Sequence, residues 1–271
     1  METRDWHFDL GAQIGMYRNK VTKLNDGDFI TDIAGGQVLT SVGNPVGLFY
    51  GYKSEGVFST AAEAADANLK VVNADGSMSL YEAGDIHFMD RDRNGIINDA
   101  DRMVIGDPNP DFYGNVNMSL NWKNFTLSTM FTYSVGNDVY NALRANLESG
   151  SDIYNQSKAM NNRWRTNGQV TDMPRATYGD PMGNARFSNR WIEDGSYLRW
   201  KSLQLSYKLP LHTSFLQGLT FTFSVTNLVT WTKYLGTDPE CYSGSSPLYM
   251  GIDSGLMPQS REFNFGIKIN L

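Results

Sequence analysis

The sequence has one cysteine, three histidines and few basic residues, and each scarcity excludes a class of protein. Cys241 cannot form an internal disulfide, so the 271 residues must be held together by other contacts. His7, His87 and His212 lie far apart, without the spacing of a zinc site. Lysine and arginine number 23 against 29 acidic residues, a net charge of −6. We therefore predict no nucleic-acid partner, because phosphate binding requires a basic surface.

Long apolar runs are also missing. No segment approaches the roughly 18 consecutive apolar residues that indicate a membrane helix. The mean hydropathy of −0.40 is compatible with a soluble protein. It is equally compatible with membrane strands, in which only alternate residues face lipid. Residues 1–6 lack the basic start and apolar stretch of a signal peptide, so we expect either an intracellular protein or a fragment.

Residue types that support catalysis are present but not grouped. Cys241 has no histidine or other base near it in sequence. Glu193 and Asp194 are adjacent, so their side chains would point to opposite sides of an extended chain. No glycine-rich phosphate-binding motif precedes a helix. The sequence therefore predicts that the protein is not an enzyme.

What the sequence does contain is alternation of apolar and polar residues. Strand is the only regular structure that sorts residues with a period of two. In the fifth such segment, apolar residues at 219, 221, 223 and 225 alternate with Thr and Ser. The segments lie at 6–16, 115–122, 125–135, 202–209, 219–226 and 262–271. We predict six antiparallel strands that form one twisted meander sheet, each paired with the next along the chain.

The polar face and the connections favour a membrane barrel over a soluble sandwich. The polar positions carry mostly Ser, Thr, Asn, Gln and Gly, which suit a barrel interior packed against a plug. Long connections at 17–112, 137–196 and 232–261 alternate with short ones at 123–124 and 210–218. Outer-membrane barrels have short periplasmic turns and longer extracellular loops, whereas sandwiches have turns about every 8 to 12 residues. The long connections are therefore predicted to be extracellular.

Seven sequence blocks, taken in order, resemble the SusC/RagA-like TonB-dependent outer-membrane transporters. They are GNPVGLFYGYKSEGVF at 43–58, GDIHFMD at 84–90, DRMVIGDPNPDF at 101–112, GNDVYN at 136–141, RWIEDGSYLR at 190–199, NLVTWTKYLGTDPE at 227–240 and GIDSG at 251–255. Pro258, Arg261 and the pair Phe265 and Gly266 continue the resemblance into the last strand. Together the blocks cover nearly the whole chain. Leu271 departs from the aromatic residue that ends many such barrels.

The resemblance implies an all-β fold that is part of a larger structure. Family members have a signal peptide, a TonB box, an N-terminal plug and a barrel of about 22 strands. Residues 1–271 would be the C-terminal part of that barrel, its last six strands, with long extracellular loops containing short helices. The plug and the earlier strands would be absent. Alone, the chain is then expected neither to transport nor to bind TonB.

The resemblance also implies a function and its partners. The expected function is import of glycans or other nutrient oligomers across the outer membrane of a Gram-negative bacterium. The expected partners are a SusD-like surface lipoprotein, the rest of the barrel and plug, outer-membrane lipid, and TonB through the missing N-terminal part. The alternative is a soluble all-β calcium-binding adhesion or glycan-binding module, which solubility without detergent would favour.

One loop has the spacing of an EF-hand or dockerin calcium loop, in which oxygen ligands come from a tight turn. The predicted ligands are Asp90, Asp92, Asn94, the carbonyl of Ile96, Asn98 and Asp101, at loop positions 1, 3, 5, 7, 9 and 12. Gly95 stands at position 6, but Asp101 replaces the usual glutamate, and nearby arginines offset part of the charge. We predict weak, extracellular Ca²⁺ binding; the alternative is a turn whose side chains cap their own backbone.

Overall fold

The computed structural model describes residues 5–211, 218–241 and 246–270. His212 and Leu271, both discussed above, lie outside this part. The strands are β1 (Trp6–Gly15), β2 (Phe29–Ile33), β3 (Gly36–Thr40), β4 (Leu48–Gly51), β5 (Ser54–Val57), β6 (Lys70–Val72), β7 (Met78–Leu80), β8 (Ile86–Phe88), β9 (Ile96–Ile97), β10 (Met103–Gly106), β11 (Phe112–Trp122), β12 (Phe125–Val135), β13 (Asp138–Asn141), β14 (Ile192–Asp194), β15 (Tyr197–Leu209), β16 (Gly218–Thr232), β17 (Ile252–Asp253) and β18 (Glu262–Asn270). The α-helices are α1 (Ala61–Ala67) and α2 (Ala142–Leu147), and the 3-10 helices are Asp99–Asp101, Lys158–Asn162, Asn189–Trp191 and Pro247–Tyr249.

The six predicted strands form one antiparallel sheet in the order β1, β11, β12, β15, β16 and β18. Each pairs with the next of the six along the chain, so the predicted meander is confirmed. The strands are 9 to 15 residues long. A tilted strand needs about 9 to 11 residues to cross a membrane. In the described part of the chain, β1 and β18 are the two edges of the sheet.

The strand register assembles the alternating residues into two chemically different faces. One apolar row crosses all six strands and consists of Phe8, Leu120, Leu127, Leu205, Phe223 and Phe265. The neighbouring row on the opposite face consists of Asp9, Ser119, Ser128, Gln204, Ser224 and Asn264. Several members of the apolar row are exposed, Leu205 at 43% and Phe265 at 82%. The sheet therefore presents an apolar face to its surroundings.

The three long connections contain more regular structure than the sequence predicts. The expected short helices are present as α1 and α2. Helix α1 begins at the capping box of Thr60 and Glu63 and ends at Asn68, which has a left-handed backbone. In the described residues, twelve further strands form four small sheets, which were not predicted from the sequence. At two to five residues each, these strands are too short to show an alternation.

The long connections pack together into one unit, which we call the cap (described residues within 16–111, 136–196 and 233–261). Strand β13 of the second connection pairs in parallel with β17 of the third. The backbone N–H of Tyr52 in the first connection donates to the carbonyl of Phe187 in the second (3.1 Å). Phe49, Tyr140 and Trp191 share one apolar core. No helix in the described ranges is both long and apolar enough to cross a membrane.

Candidate calcium site

The predicted calcium loop lies in the cap and follows β8. Strand β9, in the middle of the loop, pairs in parallel with β6, and the carbonyl of Gly95 accepts from the Lys70 N–H (2.9 Å). Gly95 has a φ of 78°, a conformation that a residue without Cβ adopts readily. The 3-10 helix Asp99–Asp101 closes the loop, with Asn98 as its N-cap. The loop is thus held in its middle and at its C-terminal end.

The fold brings together three of the six predicted ligands. Asp90, Asp92 and Asp101 each offer a carboxylate oxygen, and these oxygens lie within 4.8 Å of one another. Asp101 is 1% exposed, so its carboxylate faces the inside of the loop. A hard cation such as Ca²⁺ prefers several oxygens converging from a tight turn. The geometry of the three carboxylates fits this requirement.

The other three predicted ligands take part in hydrogen bonds within the loop. The side-chain oxygen of Asn94 accepts from the Ile96 N–H (2.7 Å), and that of Asn98 accepts from the Ala100 N–H (2.8 Å). The Ile96 carbonyl accepts from the Asn98 side-chain amide (3.2 Å). These bonds are those of a self-capped turn, so the turn interpretation also accounts for the loop. Calcium binding stays a prediction.

The loop also has a basic neighbour. Arg102, one of the arginines expected to offset part of the acidic charge, pairs through its guanidinium with Asp99 of the loop and lies over the ring of Tyr52. The carboxylate of Asp101 accepts from the backbone N–H of Arg91 and of Asn98, both at 2.8 Å. A carboxylate has about four lone-pair sites. These two bonds therefore leave acceptor capacity for a cation.

The remaining residues considered in the sequence analysis are engaged elsewhere. The carboxylate of Glu193 accepts from Arg144 (2.8 Å), while that of Asp194 accepts from the Ser196 N–H (2.9 Å). The two acids have separate partners, in agreement with the expected divergence. His87 stacks on Phe58, with ring centroids 4.5 Å apart. Burial raises the pKa of the Cys241 thiol to about 12.

Ion pairs that were not predicted from the sequence join the cap to the main sheet. Arg199, near the cap end of β15, is almost fully buried and pairs with Asp238 and Glu240 of the third connection. Burial alone would raise the pKa of the Asp238 carboxyl, but hydrogen bonds from Arg199 and the backbone lower it overall. Arg199 and these acids belong to two of the blocks used above for the resemblance. Their pairing was not predictable, because 39 and 41 residues separate the partners.

Comparison with known proteins agrees with this architecture. TonB-dependent receptor P3 of Formosa agariphila is 34% identical over 98% of this chain and 27% of the relative. TonB-dependent receptor SusC of Bacteroides thetaiotaomicron is 25% identical over 98% of this chain and 25% of the relative. The structure of the RagAB peptide transporter matches 99% of this chain and 27% of that chain, with a TM-score of 0.77 and 22% identity. No protein-family model matches the chain.

The chain spans about a quarter of the length of the curated relatives it matches. A sheet of six long antiparallel strands with an apolar and a mainly polar face, capped at one end, is similar in fold to part of that solved transporter structure. Among proteins of this fold, the chain is similar to the SusC/RagA-like TonB-dependent receptors along nearly its whole length. The resemblance predicted from the sequence blocks is confirmed. These relatives are named as receptors and a transporter, not as enzymes.

Proposed function

We propose that this chain forms part of the barrel wall of an outer-membrane TonB-dependent transporter that imports nutrient oligomers into a Gram-negative bacterium. The observation that carries the proposal is the apolar row across all six strands of the main sheet, four of whose six side chains are exposed. In water such a face would be unfavourable, whereas in lipid it is the expected surface of a barrel. The same row argues against the alternative of a soluble calcium-binding or glycan-binding module.

The proposal includes further strands and partners. Strands β1 and β18 are open edges in the described part, and unpaired backbone groups in lipid cost several kcal/mol each. We propose that the rest of a barrel of about 22 strands, with its plug, covers these edges. A SusD-like lipoprotein would cover the cap, and TonB would act through the plug region. Glycans and peptides are both proposed substrates, because the family resemblance implies glycans and one similar solved structure is that of a peptide transporter.

We also propose that the loop from Asp90 to Asp101 binds Ca²⁺ on the extracellular side. Support comes from the three converging carboxylates and from their place in the longest connection. The outer surface is where calcium is abundant enough to fill a weak site, with a Kd on the order of 10⁻⁴ to 10⁻³ M. The ion would stabilise the loop within the cap.

The proposed function is tested by measuring which side of the membrane two substituted positions face. Asn161→Cys lies in the cap and Asn124→Cys in the tight turn between β11 and β12, and both positions are exposed. Each is made together with Cys241→Ala, and intact cells are treated with a maleimide that cannot cross membranes. We expect labelling of Asn161→Cys in intact cells and of Asn124→Cys only after disruption. Labelling of both in intact cells, or recovery of the protein in the soluble fraction, would overturn the proposal.

A further inference from the structure

Three aspartates lie where the cap joins the main sheet, and we call this group the neck. Asp107 comes shortly before β11, Asp138 shortly after β12 and Asp194 shortly before β15. We propose that the neck is a pH-sensitive junction, in which a falling pH tightens the contact between the cap and the main sheet. The inference rests on the proposed function only for the exposure of the cap to the medium outside the cell.

The neck aspartates are brought together by backbone pairing. Asp138 begins β13 and lies directly opposite Asp194 of β14 in antiparallel register. The backbone N–H of Asp138 donates to the carbonyl of Asp107, and the N–H of Asp107 donates to the Asp138 carboxylate, both at 2.8 Å. Glu193, the other acid of β14, lies on the opposite face and is paired with Arg144. Because like charges on directly opposite residues are destabilising, the pairing that forms the neck also places repelling charges side by side.

No basic side chain of the described part is paired with the neck. None of the three carboxylates belongs to an ion pair there. Hydrogen bonds from Ser196 lower the pKa of the Asp194 carboxyl, and the charge of Lys233 lowers it further, so Asp194 stays charged. Burial and the charge of Asp107 raise the pKa of the Tyr17 phenol, which therefore stays neutral. The negative charge of the neck is thus offset only in part, at Asp194.

The Asp138 carboxyl carries the pH dependence. Burial raises its pKa above the ordinary value of 3.8, and the charges of Asp107 and Asp194 raise it further, although the N–H of Asp107 opposes the increase in part. When the neck opens, Asp138 enters water and regains its ordinary pKa. A group whose pKa is higher in the closed state stabilises that state most at low pH. The closed neck is therefore most stable below the ordinary pKa of Asp138, and it loses stability as the pH rises through the raised one.

Neutral substitutions in the second long connection provide the test. Asp138→Asn removes the charge but keeps an oxygen that can accept from the Asp107 N–H. Asp152→Asn is the matched control, since Asp152 is exposed and forms its hydrogen bonds within residues 152–156. Hydrogen exchange is measured on the detergent-purified full-length protein between about pH 4.5 and 7.5, and each rate is divided by the intrinsic rate of that amide at the same pH. The reporters are the amides of residue 138 and Gly195, which donate across the neck.

We expect the protection of these amides to fall about twofold or more from the lower to the higher pH, in the parent and in Asp152→Asn alike. Asp138→Asn should keep high protection at both pH values. Asp194→Asn, which removes one repelling charge from an exposed position, should make the fall smaller.

Three results would overturn the inference: equal protection of the parent at all pH values, protection that rises with pH, or the same pH dependence in Asp138→Asn as in the parent. Correct sidedness with a pH-independent neck would contradict only this inference. A pH-dependent neck with the wrong sidedness would contradict only the proposed transporter role.

Discussion

Asp85 and Arg175 form a two-point ion pair that joins the first and second long connections of the cap. The Nε and one Nη of Arg175 lie 2.8 and 2.9 Å from the two oxygens of Asp85, whose side chain is 0% exposed. The same carboxylate accepts from the Asn184 side chain (2.8 Å) and from the Glu82 N–H (2.9 Å). With four hydrogen bonds, the buried charge of Asp85 is well compensated.

Removing the Asp85 carboxylate should loosen the cap. Breaking a buried ion pair by deleting one partner costs about 3 to 5 kcal/mol, because the other charge is left uncompensated. Arg175 is partly exposed, so we expect about 3 kcal/mol for Asp85→Ala. Hydrogen exchange of the amides at 172–177 should then be about 100-fold faster. Exchange within strands β11 and β12 should not change.

The matched control is Asp75→Ala, which removes an exposed carboxylate that bonds only to nearby Ser77. It should leave exchange at 172–177 unchanged. An equal effect of both substitutions, or none for Asp85→Ala, would show that the ion pair does not hold the connections together.

The calcium proposal predicts loss of terbium binding from single substitutions. Asp90→Ala and Asp92→Ala each remove a converging carboxylate and should abolish luminescence sensitised by Phe88 or Tyr52. Asp99→Ala removes the same charge from a residue outside the converging set and should bind terbium normally. For Asp99→Ala, the midpoint of the terbium titration should be compared with that of the parent. The amplitude of the luminescence is less suitable, because Asp99 accepts from the Tyr52 hydroxyl (3.2 Å) and its loss can change sensitisation by Tyr52.

A turn without a metal would respond differently. Either the parent would show no calcium-competed luminescence, or all three variants would lose it equally. The first result would show that the loop binds no metal. The second would show that the luminescence is lost because of the changed net charge or because the loop unfolds, and not because a ligand is removed.

Cys241 should react slowly with thiol reagents despite lying outside the main sheet. Burial is the main cause that raises its pKa to about 12, with the charges of Asp253 and Asp238 adding to it. Since the thiolate is the reactive form, about one thiol in 10⁴ is ionised at pH 8. The labelling rate should therefore rise about tenfold per pH unit across the range from pH 7 to 10. In the double variant Asn161→Cys, Cys241→Ala, the labelling rate of the exposed cysteine should level off near pH 9. The same plateau for Cys241 would refute its raised pKa.

The main sheet could be predicted from the sequence because each long strand carries its own alternation. Leu205 and Gln204 are assigned to opposite faces by parity alone, and the observed register agrees. The cap could not be predicted in this way. Its strands are too short to show a period, and its contacts, such as Tyr52 with Phe187, join residues far apart in sequence.

Of the calcium loop and the neck, one could be predicted from the sequence and the other could not. The calcium loop is a local motif, so its carboxylates could be named from spacing alone, and three of them converge. In the neck, 31 residues separate Asp107 from Asp138, Asp194 lies still farther along the chain, and nothing in this spacing indicates that the three meet. Only the pairing of β13 with β14 and the bonds between Asp107 and Asp138 bring these residues together.

The proposed function requires that the apolar face of the main sheet contacts lipid. Adjacent residues Gln204 and Leu205 are both exposed and lie on opposite faces of β15. The most direct measurement uses Gln204→Cys and Leu205→Cys, each with Cys241→Ala, labelled with bimane in full-length protein reconstituted in liposomes. We predict that brominated lipids quench the fluorophore at position 205 strongly and that at position 204 little, because only the first lies against acyl chains. Equal quenching at both positions, or quenching at 204 alone, would contradict the account.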